Sequence, residues 1–255
     1  EMCIRDSISP VFNERENLKT FVDAVAEVMR STGISWELII VDDGSDDGSA
    51  EAIKELINQE NIRCLLLSKN YGQTTAIQAG FDNAVGKYLV TLDSDMQNDP
   101  KDIPALLNKL IKEELDLVVG WRKNRKDNYF LRNLPSSIAN KLIGSITGVK
   151  LHDYGCSLKA YRADVLKVVR LYGEMHRFIP AWMATKIPAS KISELVVTHH
   201  PRIAGKSKYG ISRTFRVFVD LISVYFFMSK CFQCGSQPVS YTHLRAHETR
   251  EDLGC

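Results

Sequence analysis

The sequence predicts an α/β protein, with a mostly parallel central sheet and helices on both faces. Two observations carry that expectation. Apolar, β-rich runs alternate with segments of helical period four times over about 110 residues, from Ile8 to Gly120. The polar clusters of this region, Asn13-Glu14, Asp42-Asp43, Asp93–Gln97 and Arg122, fall where the apolar runs end. In parallel sheets that edge is where ligands bind. Composition agrees with a globular enzyme-sized domain: 255 residues, 44% hydrophobic and 25% charged. It excludes disordered, collagen-like and disulfide-scaffold classes. A net charge of +2 gives no ground for nucleic acid as a partner.

Taken in order, Ile8–Phe12 is a short apolar run that ends at Asn13-Glu14. Asn17–Arg30 carries apolar residues at 18, 21, 22, 25, 28 and 29, a helical period. Trp36–Val41 is a strand running into Asp-Asp-Gly-Ser, and Gly48–Ile57 is helical. Ile62–Leu67 is a strand, Thr74–Ala84 a helix, Lys87–Leu92 a strand ending in Asp93, Ile103–Ile111 a helix and Leu115–Val119 a strand ending at Gly120. The pattern then changes. Tyr129–Ile146 predicts a long helix, Asp153–Tyr161 a loop and strand, Asp164–Leu171 and Arg177–Thr185 helices, and Ile192–Val197 a strand.

Arg213–Lys230 is apolar nearly all round, with a narrow polar stripe at 213, 216, 220 and 223. It is too short, and too interrupted by Asp220, to span a bilayer. It can be a buried core helix, but its aromatic face, with Lys206, Lys208, Arg213 and Arg216 nearby, favours an amphipathic helix in a membrane interface. The expected organisation is a catalytic domain over 8–210 and this helix over 211–230. Segments 1–7 and 239–255 resemble translations of a sequencing-transposon adapter and are expected to be non-native tails. Setting them aside leaves Cys64 and Cys156 as small core residues and Cys231 and Cys234 as a lone C-x-x-C without a second pair. That usage predicts a reducing compartment.

Asp93-Ser94-Asp95, with Gln97 two residues on, follows an apolar strand. Two carboxylates so spaced at a strand end can share one hard cation, Mg²⁺ or Mn²⁺, and leave coordination sites for a diphosphate. A lone D-x-D is common, so its weight comes from its company. In Val41–Ser49 two glycines permit a tight turn. Asp42 and Asp43 can accept from a ribose or a base N–H, while Asp47 or Ser49 caps the next helix. No G-x-G-x-x-G follows the first strand, and Gly205-Lys206-Ser207 lacks the glycine five residues earlier that a P-loop needs. His176, Trp36 and Trp182 read as structural. Trp121, beside Arg122, can line a sugar pocket, and His199 or His200 can touch a phosphate.

Pro10-Val11-Phe12-Asn13-Glu14, V-D-D-G-S-D-D-G-S, L-S-K-N-Y-G-Q-T-T-A-I-Q-A-G and L-D-S-D-M-Q-N-D-P, in this order and spacing, resemble glycosyltransferase family 2. Within that family the chain resembles the polyprenyl-phosphate (dolichyl-phosphate) mannosyl- and glucosyltransferases. G-W-R at 120–122, Asp153-Tyr154-Gly155, L-Y-G-E-M-H-R-F-I-P at 171–180 and A-G-K-S-K-Y-G at 204–210 extend the likeness over about residues 8–230, the third in a bacterial form. The resemblance implies a GT-A fold and an inverting, metal-dependent transfer. A hexose would move from a nucleoside-diphosphate sugar, GDP-mannose or a UDP-hexose, to a polyprenyl phosphate at the cytoplasmic face of the plasma membrane. It implies that Pro10, Phe12, Glu14, Asp42 and Asp43 hold the nucleotide and that Lys206, Ser207 and Lys208 meet the donor diphosphate. Asp93, Asp95 and Gln97 would hold the metal, and Arg122, Arg132 and Ser136 the acceptor phosphate. Asp153 would be an acceptor-side carboxylate acting as base or orienter.

Three rival readings carry their own signatures. A saccharide-directed member of the superfamily would carry Q-x-x-R-W, which is absent from the sequence. An inactive nucleotide-sugar-binding homologue would not keep Asp93, Asp95, Gln97 and Arg122 together. A nucleotidyltransferase would carry a Gly-rich basic loop where this chain has Phe12-Asn13-Glu14.

Overall fold

The computed structural model describes residues 5–57, 61–123, 143–145, 148–167, 169–171, 173–201 and 226. Seven strands make one sheet: β1 (Arg5–Val11), β2 (Trp36–Asp42), β3 (Ile62–Leu66), β4 (Tyr88–Thr91), β5 (Leu117–Trp121), β6 (Lys159–Arg162) and β7 (Ile192–Val196). Their spatial order is β3-β2-β1-β4-β6-β5-β7. All neighbours pair parallel except β6, which runs antiparallel between β4 and β5. The loop before β6 already lies at the carboxyl edge, so the chain can only run back down without a crossover. Lys159, the first residue of β6, consequently sits beside Thr91 and Val119 near that edge.

Each face of the sheet buries its own core. Alternate strand residues Leu38, Ile40, Val90 and Val118 pack under α1 (Arg15–Ser31), α2 (Ser49–Leu56) and α4 (Ile103–Lys112). Phe21, Val22, Val25 and Met29 of α1 and Leu106, Leu107 and Leu110 of α4 supply the covering stripe. On the other face Ile8, Ile39, Leu89 and Leu117 meet α3 (Gln73–Asn83). There Gly80 lets α3 lie directly on β1, because a Cβ would come within 2.3 Å of Ile8 Cγ2.

β1 begins at Arg5, ahead of the expected Ile8. Asp6 is buried and accepts from the backbone N–H groups of Val85 (2.8 Å) and Gly86 (2.7 Å). Two expected helices are shorter than read. Asp164–Leu171 yields only α5 (Ala163–Leu166), as β-branched Val168 and Val169 follow. Arg177–Thr185 divides into a 3₁₀ turn at Met175–Arg177 and α6 (Ile179–Met183), with Pro180 in the first turn. Of the expected helix over Tyr129–Ile146, residues 143–145 are helical and most of the rest lies outside the described residues. So do Arg132, Ser136, Lys206, Ser207, Lys208, almost all of 211–230 and the whole of 239–255. Among the described residues no helix is long and apolar enough to cross a membrane.

Candidate active site

The strand order reverses between β1 and β4: from β1 the chain fills the sheet toward β3, and from β4 toward β7. Such a switch point opens a crevice at the carboxyl ends. The β1–β4 pairing stops at Ile8 and Thr91, so the two strands part beyond it. Pro10, which has no N–H to give, is tolerated there. Phe12–Glu14 leave β1 on one side, and Asp93–Gln97 leave β4 on the other.

The loop after β2 is knitted to the loop after β1. Asn13, at φ 52°, donates its N–H to Ser45 Oγ (2.9 Å) and its side-chain amide to Asp46 (2.7 Å), whose own N–H returns to Asn13 Oδ1 (3.0 Å). Glu14 N–H meets Ser49 Oγ (3.1 Å), and the Glu14 carboxylate accepts from Asn17 (2.7 Å). Asp42 accepts from the N–H and Oγ of Ser45 (3.2 and 2.6 Å). Both oxygens of buried Asp43 go to the N–H groups of Tyr71 and Gly72 (2.8 Å each). Burial pushes the Asp43 carboxyl up, against those two bonds. Burial also opposes the Asp47 charge, but hydrogen bonds from Ser49 and from Arg15 N–H hold it below the usual range. The turn needs Gly44, at φ 69°, because a Cβ there would lie 2.3 Å from the Lys69 carbonyl carbon. The loops after β1 and β2, which carry Phe12, Glu14 and Asp42, are thus joined, and Asp43 ties them to the amino end of α3.

The loop after β4 is different. Asp95 is buried and Asp93 half-buried. Met96 is held at φ 59°, a strained value for an unbranched side chain, and Gln97 N–H donates back to Asp95 Oδ1 (3.1 Å). Burial, and then repulsion from Asp95, lift the Asp93 carboxyl to about 6, opposed by a bond from Ser157 and by the charges of Lys159 and Arg122. Two carboxylates forced together in this way form a donor set that a hard divalent cation relieves. No group of three His, Cys, Asp or Glu occurs among the described residues, so the rest of the shell would come from ligand oxygens and water. Asp93 also accepts from the Gln73 amide (2.8 Å) at the start of α3.

Across β6 stands the cationic half. Arg122, just past β5, grips Asp153 with a fork: Nε to Oδ2 at 2.7 Å and Nη2 to Oδ1 at 3.0 Å. Burial works against the Arg122 charge, but the Cys156 thiol group, Asp153 and Asp93 raise its pKa further. Nη1 lies outside the fork. Lys159 is 2% exposed, donates to the Cys156 carbonyl, and is lowered by burial against the pull of nearby acids. The structure therefore brings Asp93, Asp95, Arg122 and Asp153 into one electrostatic cluster.

Sequence reasoning missed Gln73, Lys159 and Ser157. Gln73 carried a weak signal, a polar residue after Gly72 at a helix start; Lys159 carried none. His176 is structural as expected, buried and bonded through Nδ1 to Thr74 Oγ1 (2.7 Å). Trp36 is core, Trp182 is only partly buried, and Trp121 stacks on His152. His200 pairs with Asp99 (3.2 Å).

Residues 7–170 match the family described as Glycosyl transferase family 2. Among curated proteins, the chain is 57% identical over 223 residues to the dodecaprenyl-phosphate galacturonate synthase of Rhizobium johnstonii, covering 87% of this chain and 66% of that protein. It is 39% identical over 218 residues to the undecaprenyl-phosphate 4-deoxy-4-formamido-L-arabinose transferase of Pectobacterium atrosepticum, covering 85% and 65%. The chain thus spans just under two thirds of the length of these relatives. Among solved structures it resembles glucosyl-3-phosphoglycerate synthase from Mycobacterium tuberculosis in complex with Mn²⁺, uridine diphosphate and glucosyl-3-phosphoglycerate. The TM-score is 0.67 at 16% identity, over 92% of this chain and 81% of that one. That likeness establishes the fold, the GT-A arrangement that the motifs implied.

Proposed function

The chain belongs to glycosyltransferase family 2, and from that premise we propose that it transfers a sugar from a nucleoside-diphosphate donor to a polyprenyl phosphate, inverting the anomeric centre. The observation that carries this reading is the cluster itself: a repelling carboxylate pair, Asp93 and Asp95, facing a forked guanidinium, Arg122, across one strand. A reaction between two phosphate-bearing substrates needs both halves.

On this reading Pro10, Phe12, Glu14 and Asp42 line the nucleotide, and Asp43 acts by holding the Tyr71–Gly72 backbone. Asp93, Asp95 and Gln97 would hold Mg²⁺ or Mn²⁺, which would supply positive charge to the departing diphosphate. Lys206, Ser207 and Lys208 are assigned to the same diphosphate. The acceptor is a phosphate monoester with a second pKa near 6, so at neutral pH it is already an anionic nucleophile. It requires orientation more than deprotonation. Arg122, through the Nη1 that lies outside its fork to Asp153, acts with Arg132 and Ser136 to supply that orientation by charge-assisted hydrogen bonds to phosphate oxygens. Asp153, engaged through both oxygens, is an orienter of Arg122 rather than a base.

The names of the relatives favour a dodecaprenyl or undecaprenyl phosphate and an acidic or modified sugar over mannose, and the uridine diphosphate of the solved neighbour favours a UDP-linked donor over GDP-mannose. The reaction then occurs at the cytoplasmic membrane face, with 211–230 lying in the interface.

The test uses the 255-residue chain in detergent with Mn²⁺, undecaprenyl phosphate and labelled UDP-galacturonate, UDP-glucose and GDP-mannose. Label extracted into the organic phase from a UDP-sugar, and abolished by EDTA, is the expected result. Label transferred only to soluble saccharides would overturn the lipid acceptor. Sole use of GDP-mannose would overturn the donor assignment.

A further inference from the structure

We infer that Glu194, on the edge strand β7, is a positioning residue for the Arg122–Asp153 pair. The inference deepens the proposed function, because it rests on that pair serving the acceptor phosphate. No motif in the sequence singled Glu194 out. β7 pairs with β5 so that Glu194 lies beside Val119 and Val196 beside Trp121. Residues in register share a face in a parallel pair, so the Glu194 side chain rises on the Trp121 side of the sheet.

Both carboxylate oxygens of Glu194 are committed to a single residue. Oε2 accepts the backbone N–H of His152 at 2.8 Å, and Oε1 meets the His152 ring at Nδ1. A carboxylate only accepts, so Nδ1 carries the proton and the ring orientation follows. So oriented, the imidazole lies flat on the Trp121 indole, with ring centres 4.0 Å apart and planes 14° from parallel. Two consecutive residues at the end of β5, Trp121 and Arg122, therefore meet two consecutive residues of the loop, His152 and Asp153. One meeting is a stack and the other a fork. Both depend on where the loop sits, and Glu194 fastens the loop to the sheet edge from 42 residues away.

The Glu194 side chain is 18% exposed against 62% for His152. Its carboxylate is thus the sheltered member of the contact. Without Glu194 the fork between Asp153 and Arg122 survives, but the backbone carrying Asp153 loses its tie to β7, so the fork as a whole is held less firmly in place.

Glu194→Ala is expected to raise the KM for undecaprenyl phosphate about tenfold, with the donor KM, Mn²⁺ affinity and melting temperature unchanged. Glu194→Gln keeps an acceptor oxygen for the His152 N–H and should recover most of the loss. A second measurement needs no substrate: amide hydrogen exchange at 152–155 and phenylglyoxal modification of Arg122 should both quicken in Glu194→Ala. An unchanged acceptor KM, or equal loss for both substrates with a lowered melting temperature, overturns the positioning role. If the wild-type chain labels no lipid, the acceptor reading falls by itself. The exchange and modification rates still decide whether Glu194 holds the segment, and unchanged rates overturn it.

Discussion

The loops after β2 and β4 carry the same sequence signature, a cluster of aspartates where an apolar strand ends, yet the structure uses them in opposite ways. After β2, Asp42, Asp43, Asp46 and Asp47 are each answered by a hydroxyl, an amide or a backbone N–H, of their own loop or of a neighbouring one. After β4, Asp93 and Asp95 are set against each other, and repulsion adds to burial in lifting Asp93 to about 6. The first loop is built to be complete without a ligand. The second carries an electrostatic cost that a cation removes. Count and spacing of acids are therefore poor guides to metal binding; where their hydrogen bonds go is a better one.

The comparison breaks most sharply at Asp95. Asp95→Asn removes one ligand and the repulsion together. Transfer should fall at least about 1,000-fold, since metal stabilisation of the leaving diphosphate is worth several kcal/mol. The melting temperature of the metal-free chain should hold or rise. Turnover with Mn²⁺ beside a thermal melt in EDTA checks both, and wild-type-like turnover would remove Asp95 from the metal site. Next in size is Arg122→Ala, with an expected loss of about 100-fold in kcat/KM for the acceptor. Donor affinity should be preserved, and a loss confined to the donor would move Arg122 to the other substrate.

Asp43→Ala is the matching test in the quiet loop. It leaves the Tyr71 and Gly72 N–H groups without their acceptor, at a cost of about 2 kcal/mol. Urea unfolding should reveal that loss, while donor KM per folded molecule changes little. A donor KM that rises strongly with stability intact would restore Asp43 to the nucleotide.

Most of the architecture was legible because it is written in local periodicity: α1 in its apolar spacing, and β1, β2, β4 and β5 in short apolar runs with polar ends. The strand β6 was legible as a strand but not as an antiparallel one, because direction depends on which edge the preceding loop reaches. In the site, Asp93, Asp95 and Arg122 stood out as polar residues at strand ends. Lys159 did not, since a lysine inside L-K-A-Y-R reads as an outward-facing position, and only the sheet order buries it beside Asp93. Gln73 carried only a weak signal and Glu194 none, because their partners are 20 and 42 residues away.

The smallest expected effect sharpens the comparison through pH. Burial first, and Asp95 second, raise Asp93 from 3.8 to about 6. A carboxyl whose folded pKa is raised binds its proton more tightly in the folded chain than in the unfolded one. Its contribution to stability is therefore present below about pH 4 and is lost as pH rises through about 6. A divalent cation needs the carboxylate and acts in the opposite sense. Mn²⁺ affinity should be level above pH 6 and fall about tenfold per unit below it. The Mn²⁺-induced rise in melting temperature should shrink over the same interval. In Asp95→Asn the repulsion is gone, so the midpoint of what Mn²⁺ binding remains should move to lower pH. In Asp43→Ala the midpoint should stay near 6, because Asp43 answers to backbone amides and takes no part in the Asp93–Asp95 pair. Titrating Mn²⁺ by water-proton relaxation from pH 5 to 8 in the three chains reads this directly. A midpoint near 4 in the wild type would mean that neither burial nor Asp95 raises Asp93, and the contrast between the two loops would fail.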